Sequence, residues 1–333
     1  MNRMNKKHKI TSFGSGVLDI HSAPFDSNSG ADKRDGDLEF KVGGAPVNGA
    51  RAAGLYVTVA LILLIADDFL GKIIKELAFD EFKEQTLLLH PAMEATRASV
   101  ISGNSIITKR ASTIIQDLPV HIREICANSE MLIVGPMTQK DYELTKQILK
   151  TNSNSILQLS KQQLENAGMC IQLAQMAGVT VINDNEATYW TGFSDPVKAI
   201  QWLRDRSVKN VIITSKDSVN GYCDGNWIFQ PTIQAKNVKS TIGAGDVFVG
   251  TLAAMRVNGK SWRKAITLAM TAATRHIEKS GVTDLSRLDQ ESLTRKRVPF
   301  QPPKSKFKVT APINKLTVAA SSLIAGLAFG ILM

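Results

Sequence analysis

Cysteine and histidine are scarce in this chain of 333 residues, and neither occurs at the spacing of a disulfide framework or a metal site. The three cysteines lie far apart and form no Cys-x-x-Cys pair, which favours a reducing compartment. The five histidines show no His-Glu-x-x-His spacing, so a zinc site built by the protein is not predicted. The cysteines are Cys126, Cys170 and Cys223.

Acidic residues are absent from residues 1–10 and nearly absent from residues 291–315. The formal net charge of the chain is +10, of which +4 lies in the first segment and +6 in the second. A nucleic-acid reader displays its basic excess on a folded face or groove, so no nucleic-acid partner is predicted. Residues 1–8 are interpreted as a basic N-terminal arm, because no apolar run follows them as in a signal peptide.

Charged residues are also missing from Leu316–Met333, a segment of 18 residues. As a helix it would span about 27 Å, close to the ~30 Å of a bilayer's hydrocarbon core. The basic, proline-containing residues 291–315 are interpreted as a linker on the cytoplasmic side. Two readings stay open: a C-terminal helix that anchors a cytoplasmic domain to a membrane, and a helix packed on that domain.

The chain does contain a glycine turn, a carboxylate and a helix start within one run, Ser240–Phe248. Residues 233–238 can be extended before it, and Val247–Arg256 shows helical spacing after it. Free N–H groups at such a helix start can face a phosphate, with Asp246 within reach of an incoming hydroxyl. The alternative is that Asp246 only caps the helix.

A second glycine segment, residues 43–50, reads Gly-Gly-Ala-Pro-Val-Asn-Gly-Ala, and an Asn-Asp-Asn-Glu follows at residues 183–186. Together with Gly14–Asp19 after a predicted strand, and with Gly-Ala-Gly-Asp at residues 243–246, these motifs occur in a characteristic order. In that order and approximate spacing the chain resembles the ribokinase-like (PfkB) carbohydrate kinases over about residues 9–290.

Short apolar runs alternate with helical stretches between the motifs, as in a doubly wound α/β protein. The resemblance implies a ribokinase-like three-layer α/β/α sandwich with a mostly parallel central sheet, and a small β lid from about residues 21–42 and 95–112. The kinase domain would span residues 9–290. Predicted strands are Lys9–Phe13, Val57–Leu64, Met131–Val134, Val179–Ile182 and Val208–Thr214, and predicted helices include Phe69–Leu77, Tyr142–Leu149, Pro196–Asp205 and Trp262–Ser280.

The resemblance implies ATP-dependent phosphorylation of a sugar or sugar-like hydroxyl. Asp246 would be the base that takes the hydroxyl proton, and the backbone of Gly243, Ala244 and Gly245 would form the anion hole. Without the resemblance, Asp19 would be interpreted as an aspartate at a strand end and Asn48 as an asparagine that caps a helix. The implied acceptor-binding residues are Asp19, Gly43, Gly44 and Asn48.

The same resemblance implies ATP and Mg²⁺ as cofactors. Asn183 and Glu186 would order magnesium and phosphate, Glu186 through water; the alternative is a polar strand-to-helix turn. The implied nucleotide-binding residues are Thr214, Ser218 and Gly221. Their loop departs from the glycine-rich family pattern, because Thr214 to Ser218 contain no glycine and Gly221 comes late. Ser240 stands where relatives carry an aspartate associated with monovalent-cation binding, so potassium activation is not predicted.

These departures keep a rival open, a catalytically weak, membrane-tethered regulatory protein that binds a sugar or nucleotide. A dinucleotide oxidoreductase is disfavoured, because the third glycine of a fingerprint starting at Gly14 would fall at Asp19, whose charge would repel pyrophosphate. Lid strands in the resembling family often pair between subunits, which implies a homodimer.

Overall fold

Two β-sheets organise the chain in the computed structural model, which describes residues 8–24, 36–82, 86–102, 105–109, 111–115 and 117–279. One sheet has nine strands and the other has four. In chain order the strands are β1 (Ile10–Ser15), β2 (Val17–Pro24), β3 (Gly36–Gly43), β4 (Val59–Ile65), β5 (Thr86–Pro91), β6 (Arg97–Ser102), β7 (Ser105–Lys109), β8 (Met131–Val134), β9 (Ser155–Gln158), β10 (Val179–Asn183), β11 (Val211–Thr214), β12 (Ser218–Cys223) and β13 (Asn226–Pro231).

The nine-stranded sheet has the order β13-β12-β11-β10-β9-β8-β1-β4-β5. All strands from β11 to β5 in this order pair in parallel, and β12 and β13 add an antiparallel hairpin at one edge. The carboxyl ends of the parallel strands therefore share one edge, where ligands bind in open α/β sheets.

Helices cover both faces of this sheet. They are α1 (Ala45–Gly54), α2 (Phe69–Glu81), α3 (Val120–Ala127), α4 (Tyr142–Thr151), α5 (Lys161–Leu164), α6 (Ala167–Met176), α7 (Asp184–Thr191), α8 (Pro196–Arg204), α9 (Ala244–Val257) and α10 (Trp262–Lys279). The helices α1, α2, α9 and α10 pack on one face, and α3 to α8 pack on the other.

The central strands are apolar on both faces because each face is covered. All seven residues of β4 are buried. Its side chains alternate between two cores, with Leu61 and Leu63 facing α1 and α9 while Ile62 and Leu64 face the opposite helical layer. This arrangement is the three-layer α/β/α sandwich predicted from the sequence.

The four-stranded sheet has the order β3-β2-β6-β7 and comes largely from the two stretches predicted as the lid, about residues 21–42 and 95–112. Strand β2 pairs antiparallel with β3 and parallel with β6. Strand β2 begins at Val17, so Asp19 lies inside this second sheet rather than at the end of β1.

Several boundaries differ from the prediction. Residues 233–238 form no strand, and β11 begins at Val211 instead of Val208. The prediction did not name the helices α3, α5 and α6 or the strands β5, β9, β12 and β13. Within the described segments no helix is both long and apolar enough to cross a membrane. Residues 1–7, the linker 291–315 and the proposed anchor 316–333 lie outside the described residues.

Candidate functional site

Asp246 lies in the first turn of α9, where a glycine turn delivers the chain into the helix. Gly243 caps this helix with a φ of 81°, in the left-handed region that favours glycine. Ala244 donates its N–H back to Thr241 O at 3.3 Å. The N–H groups of Gly243 and Gly245 have no hydrogen-bond partner among the described residues, so they remain free to bind an anion.

Two side-chain amides hold the carboxylate of Asp246, one on each oxygen. Asn48 Nδ2 donates to Oδ2 at 3.1 Å, and Gln158 Nε2 donates to Oδ1 at 3.2 Å. Burial raises the pKa of Asp246, while the two amides and the charge of His276 oppose that rise. Asp246 is therefore a partly buried carboxylate whose ionised form is stabilised by Asn48, Gln158 and His276.

Arg51 fixes the orientation of Asn48. Its Nη1 donates to Asn48 Oδ1 at 3.0 Å, which leaves the Asn48 NH₂ group facing Asp246. Arg51 is itself held by Val42 O at 2.7 Å and by an ion pair with Glu81. The alternative reading of Asn48 as a helix cap does not hold, because α1 begins after Gly44 without a side-chain cap.

Asp19 approaches from the four-stranded sheet. Burial raises its pKa to about 6, the negative charge of Asp246 adds to the rise, and a hydrogen bond with Ser99 opposes it. Gly43, on the neighbouring strand β3, makes room for this carboxylate, since a Cβ at Gly43 would lie 1.6 Å from Asp19 Oδ2. Gly44, with a φ of 95°, then leads into α1. The structure thus brings the four predicted acceptor-binding residues to the side of Asp246.

Glu186 and Asn183 form a capping box where β10 passes into α7. Glu186 N donates to Asn183 Oδ1 at 2.8 Å, and Asn183 N donates to Glu186 Oε2 at 2.9 Å. The predicted alternative, a polar strand-to-helix turn, is therefore present. The backbone part of this capping box engages only one carboxylate oxygen of Glu186, Oε2. Burial raises the pKa of Glu186 to about 7, and the charge of Asp246 adds to that rise.

The predicted nucleotide loop is a tight turn between β11 and β12. Ser215 N and Ser215 Oγ both donate to Ser218 O at 2.9 Å, and Thr214 Oγ1 donates to Ile182 O at 3.4 Å. Gly221 lies outside this turn, in the middle of β12 opposite Ile212. The turn itself therefore contains no glycine, because the strand resumes at Ser218.

Two site residues were missed by sequence reasoning, Gln158 and His276. His276 Nε2 lies 2.8 Å from Ile242 O and would be 3.3 Å from a Cβ at Gly243, so the ring supports the glycine turn from α10. No motif marks either residue. A polar residue at the carboxyl end of a buried strand was the one available signal for Gln158.

Three carboxylates with raised pKa values, Asp19, Glu186 and Asp246, thus interact electrostatically although they come from three different elements. Active sites are where burial and neighbouring like charges shift the pKa values of carboxylates, so this cluster is the candidate functional site. In the described part of the chain, no three acidic, histidine or cysteine side chains are arranged so that they could hold one metal ion. A single carboxylate such as Glu186 still fits Mg²⁺, which keeps most of its own waters.

The raised pKa of Glu186 predicts a pH dependence of stability. A carboxyl group that binds its proton more tightly in the folded state stabilises the fold below its ordinary pKa, and this contribution is lost as the pH rises through about 7. The melting temperature should therefore fall from about pH 5 to about pH 8. Glu186→Gln, which keeps the capping box, should flatten that fall.

Differential scanning fluorimetry across this pH range would measure both slopes. The matched control is Glu143→Gln, which changes an exposed glutamate of α4 that forms an ion pair with Lys146. An unchanged slope in Glu186→Gln would contradict the assignment.

Comparison with known proteins gives the following matches. A family model described as pfkB family carbohydrate kinase matches residues 93–289, more than half of the chain. Ribokinase from Arabidopsis thaliana complexed with ribose and ATP matches with a TM-score of 0.65 and 19% identity, over 86% of this chain and 98% of that chain. Adenosine kinase from Sinorhizobium meliloti matches with a TM-score of 0.65 and 17% identity, over 82% and 95%.

A third solved structure is an E. coli protein assigned as ribokinase II in complex with ATP and Mg²⁺. It matches with a TM-score of 0.68 and 16% identity, over 86% of this chain and 98% of that chain. No curated protein matches the chain significantly. At these identities the solved structures establish the fold, and they confirm the predicted ribokinase-like sandwich.

Proposed function

Because the chain belongs to the pfkB family of carbohydrate kinases, we propose that it transfers the terminal phosphoryl group of ATP to a hydroxyl of a sugar or sugar-like acceptor. The observation that carries the proposal is the clamped carboxylate of Asp246 directly after a glycine turn with free N–H groups. A base beside an anion hole is what phosphoryl transfer requires of a protein.

Asp246 is the proposed base. Its carboxylate accepts the proton of the acceptor hydroxyl while the hydroxyl oxygen forms a bond to the γ-phosphorus, and the bond from that phosphorus to the bridging oxygen of ADP breaks. The N–H groups of Gly243 and Gly245, with Ala244 between them, face the negative charge on the transferred group. The aligned peptide dipoles of α9 add to this stabilisation.

Asp19 and Asn48 are the proposed acceptor-binding side chains. An ionised carboxylate accepts hydrogen bonds from two neighbouring hydroxyls, which is the pattern that a sugar offers. Gly43 and Gly44 let the backbone between them come close to the acceptor. The raised pKa of Asp19, at about 6, leaves it ionised at neutral pH for this role.

ATP and Mg²⁺ are the proposed cofactors, and the metal would neutralise charge on the phosphate oxygens. Glu186 would hold the hydrated ion through its carboxylate, and Asn183 lies beside it at the start of α7. Thr214 and Ser218 lie on the neighbouring strand and turn, where they would contact the nucleotide. Gly221 has no role in this proposal, because it lies in mid-strand.

The test is ADP release by the full chain with Mg·ATP across a panel of sugars, sugar phosphates and nucleosides. Turnover with one class of acceptor would establish the kinase and identify its substrate class. If ATP raises the melting temperature but no acceptor is phosphorylated, the regulatory alternative replaces the kinase.

A homodimer is proposed through the outer face of the four-stranded sheet. An apolar row crosses all four strands, because Ile20 pairs with Phe40 and Val100, and Val100 pairs with Ile107. The exposed fractions of Phe40, Val100 and Ile107 are 46%, 46% and 76%. Two copies of such a face would bury each other's apolar surface.

Light scattering should give the mass of a dimer for the wild type and the mass of a monomer for Ile107→Lys. The control variant Val120→Lys places a charge at another exposed apolar residue, at the start of α3, and should leave the mass of the dimer unchanged. A monomeric wild type would rule the dimer out.

Membrane contact through residues 316–333 remains a proposal from hydropathy alone. It is tested by carbonate washing of membranes from cells that make the full chain. Full-length protein released into the supernatant would rule out the anchor.

A further inference from the structure

Gln158 stands out as the buried amide that ends β9 beside the proposed base. Its side chain is 8% exposed, and Nε2 donates to Asp246 Oδ1 at 3.2 Å. The other atom of the same amide, Oε1, is buried without a hydrogen-bond partner in the described part of the chain. An unpartnered buried acceptor is unfavourable for folding, so the burial of Oε1 works against the stability that the bond from Nε2 contributes.

The two amides that clamp Asp246 differ in how they are held. Asn48 is fixed from behind by Arg51, so its orientation does not depend on Asp246. Gln158 makes its one side-chain hydrogen bond among the described residues to Asp246 itself. The Gln158 amide is therefore oriented by the charge that it stabilises.

We propose that Gln158 is a positioning residue that keeps the Asp246 carboxylate ionised and turned towards the acceptor. This proposal rests on the proposed function only in taking Asp246 as the base. A base must be ionised to accept a proton, and the hydrogen bond from Gln158 Nε2 favours that form. The unfavourable burial of Oε1 is then retained for activity rather than for stability.

Charged groups from other elements also influence the ionisation of Asp246. Asp19 from β2 and Glu186 from α7 interact with it as like charges. His276 from α10 favours the ionised form. Arg51 from α1 acts on Asp19 and, through Asn48, on the clamp. Gln158 is the neutral donor on the side of Oδ1.

The experiment compares the full-length wild type with Gln158→Met, which keeps the length of the side chain and removes the donor. Aspartate labelled with ¹³C at Cγ is titrated by NMR, and the Asp246 signal is assigned by its absence in Asp246→Asn. The pKa of Asp246 should rise by about one unit or more in Gln158→Met. The acidic limb of the profile of kcat/KM against pH should move to higher pH by the same amount. At pH values below that limb, kcat/KM should be about tenfold lower than in the wild type.

The melting temperature of Gln158→Met should change little, since removal of the orphaned acceptor Oε1 offsets loss of the hydrogen bond to Asp246 Oδ1. Gln175→Leu is the matched control, because it removes an amide of α6 whose one hydrogen bond within the described residues goes to Arg206 O, and it should leave the pKa of Asp246 unchanged. If Gln158→Met does not fold, Gln158→Glu is the variant that tests the proposal. It should raise the pKa of Asp246 further, because the two carboxylates repel each other.

If folded Gln158→Met leaves the pKa of Asp246 unchanged, the proposal is overturned. So does a loss of kcat/KM that is equal at every pH. The NMR readout needs no turnover. A wild type without kinase activity would therefore refute the proposed function, and the NMR titration would still decide whether Gln158 keeps Asp246 ionised.

Discussion

Asp246→Asn should lower kcat by about 10²- to 10⁴-fold while ATP still binds with nearly wild-type affinity. The carboxylate is the group that takes the hydroxyl proton, and that transfer matters only on the way to the transition state. An asparagine cannot take a proton there. It also presents an NH₂ group to one of the two amide donors, from Asn48 or Gln158, which further disturbs the clamp.

Initial rates and ATP-dependent thermal shifts would measure the two effects separately. Asp195→Asn is the matched control, because Asp195 caps α8 at an exposed position and asparagine is an equally good cap. The control should keep wild-type kcat. A value of kcat for Asp246→Asn within tenfold of wild type would remove Asp246 from the role of base.

Gly250→Ala should destabilise the protein by about 1–3 kcal/mol and lower kcat, although Gly250 is one helical turn away from the base. A Cβ at Gly250 would lie 2.2 Å from Gly49 O and 2.9 Å from Ala52 Cβ. The helices α1 and α9 would have to move apart to accept it. Because α1 carries Asn48 and α9 carries Asp246, the same movement lengthens the hydrogen bond of 3.1 Å between them.

Urea denaturation and steady-state kinetics would test both parts of this prediction. Gly168→Ala in α6 is the matched control, since a Cβ there meets only Asn166 Oδ1 at 3.9 Å. It should stabilise the helix by about 0.5–1 kcal/mol and leave kcat unchanged. Gly250→Ala with wild-type stability would show that the two helices are not in close contact in solution.

Most of the central sheet could be predicted because its strands are apolar on both faces. The bounds predicted for β8 agree with the structure, and those for β1, β4 and β10 differ by one or two residues at an end. Strand β9 was missed because its four residues include Ser155 and Gln158, which break the apolar run. The antiparallel hairpin of β12 and β13 was missed although its two-residue turn, Asp224-Gly225, is a sequence that favours hairpins, and both residues have a positive φ.

The site could be predicted only where its residues belong to local motifs. Asp246 follows a glycine turn, and Asn183 and Glu186 form a capping box, so short stretches of sequence contain the signal. Gln158 and His276 reach the same place from elements with no motif. Their roles depend on contacts across 88 and 34 positions of the chain.

By itself the sequence determined which turns can face a phosphate and which strands can lie inside the sheet. Backbone conformation and the alternation of apolar side chains act over a few residues, so both can be read locally. The tertiary structure alone decided that Asn48 and Gln158 hold Asp246, and that Asp19 and Glu186 lie in its field. Those interactions depend on how α1, α9 and the strand ends pack, and packing is a property of surfaces that meet only in the folded chain.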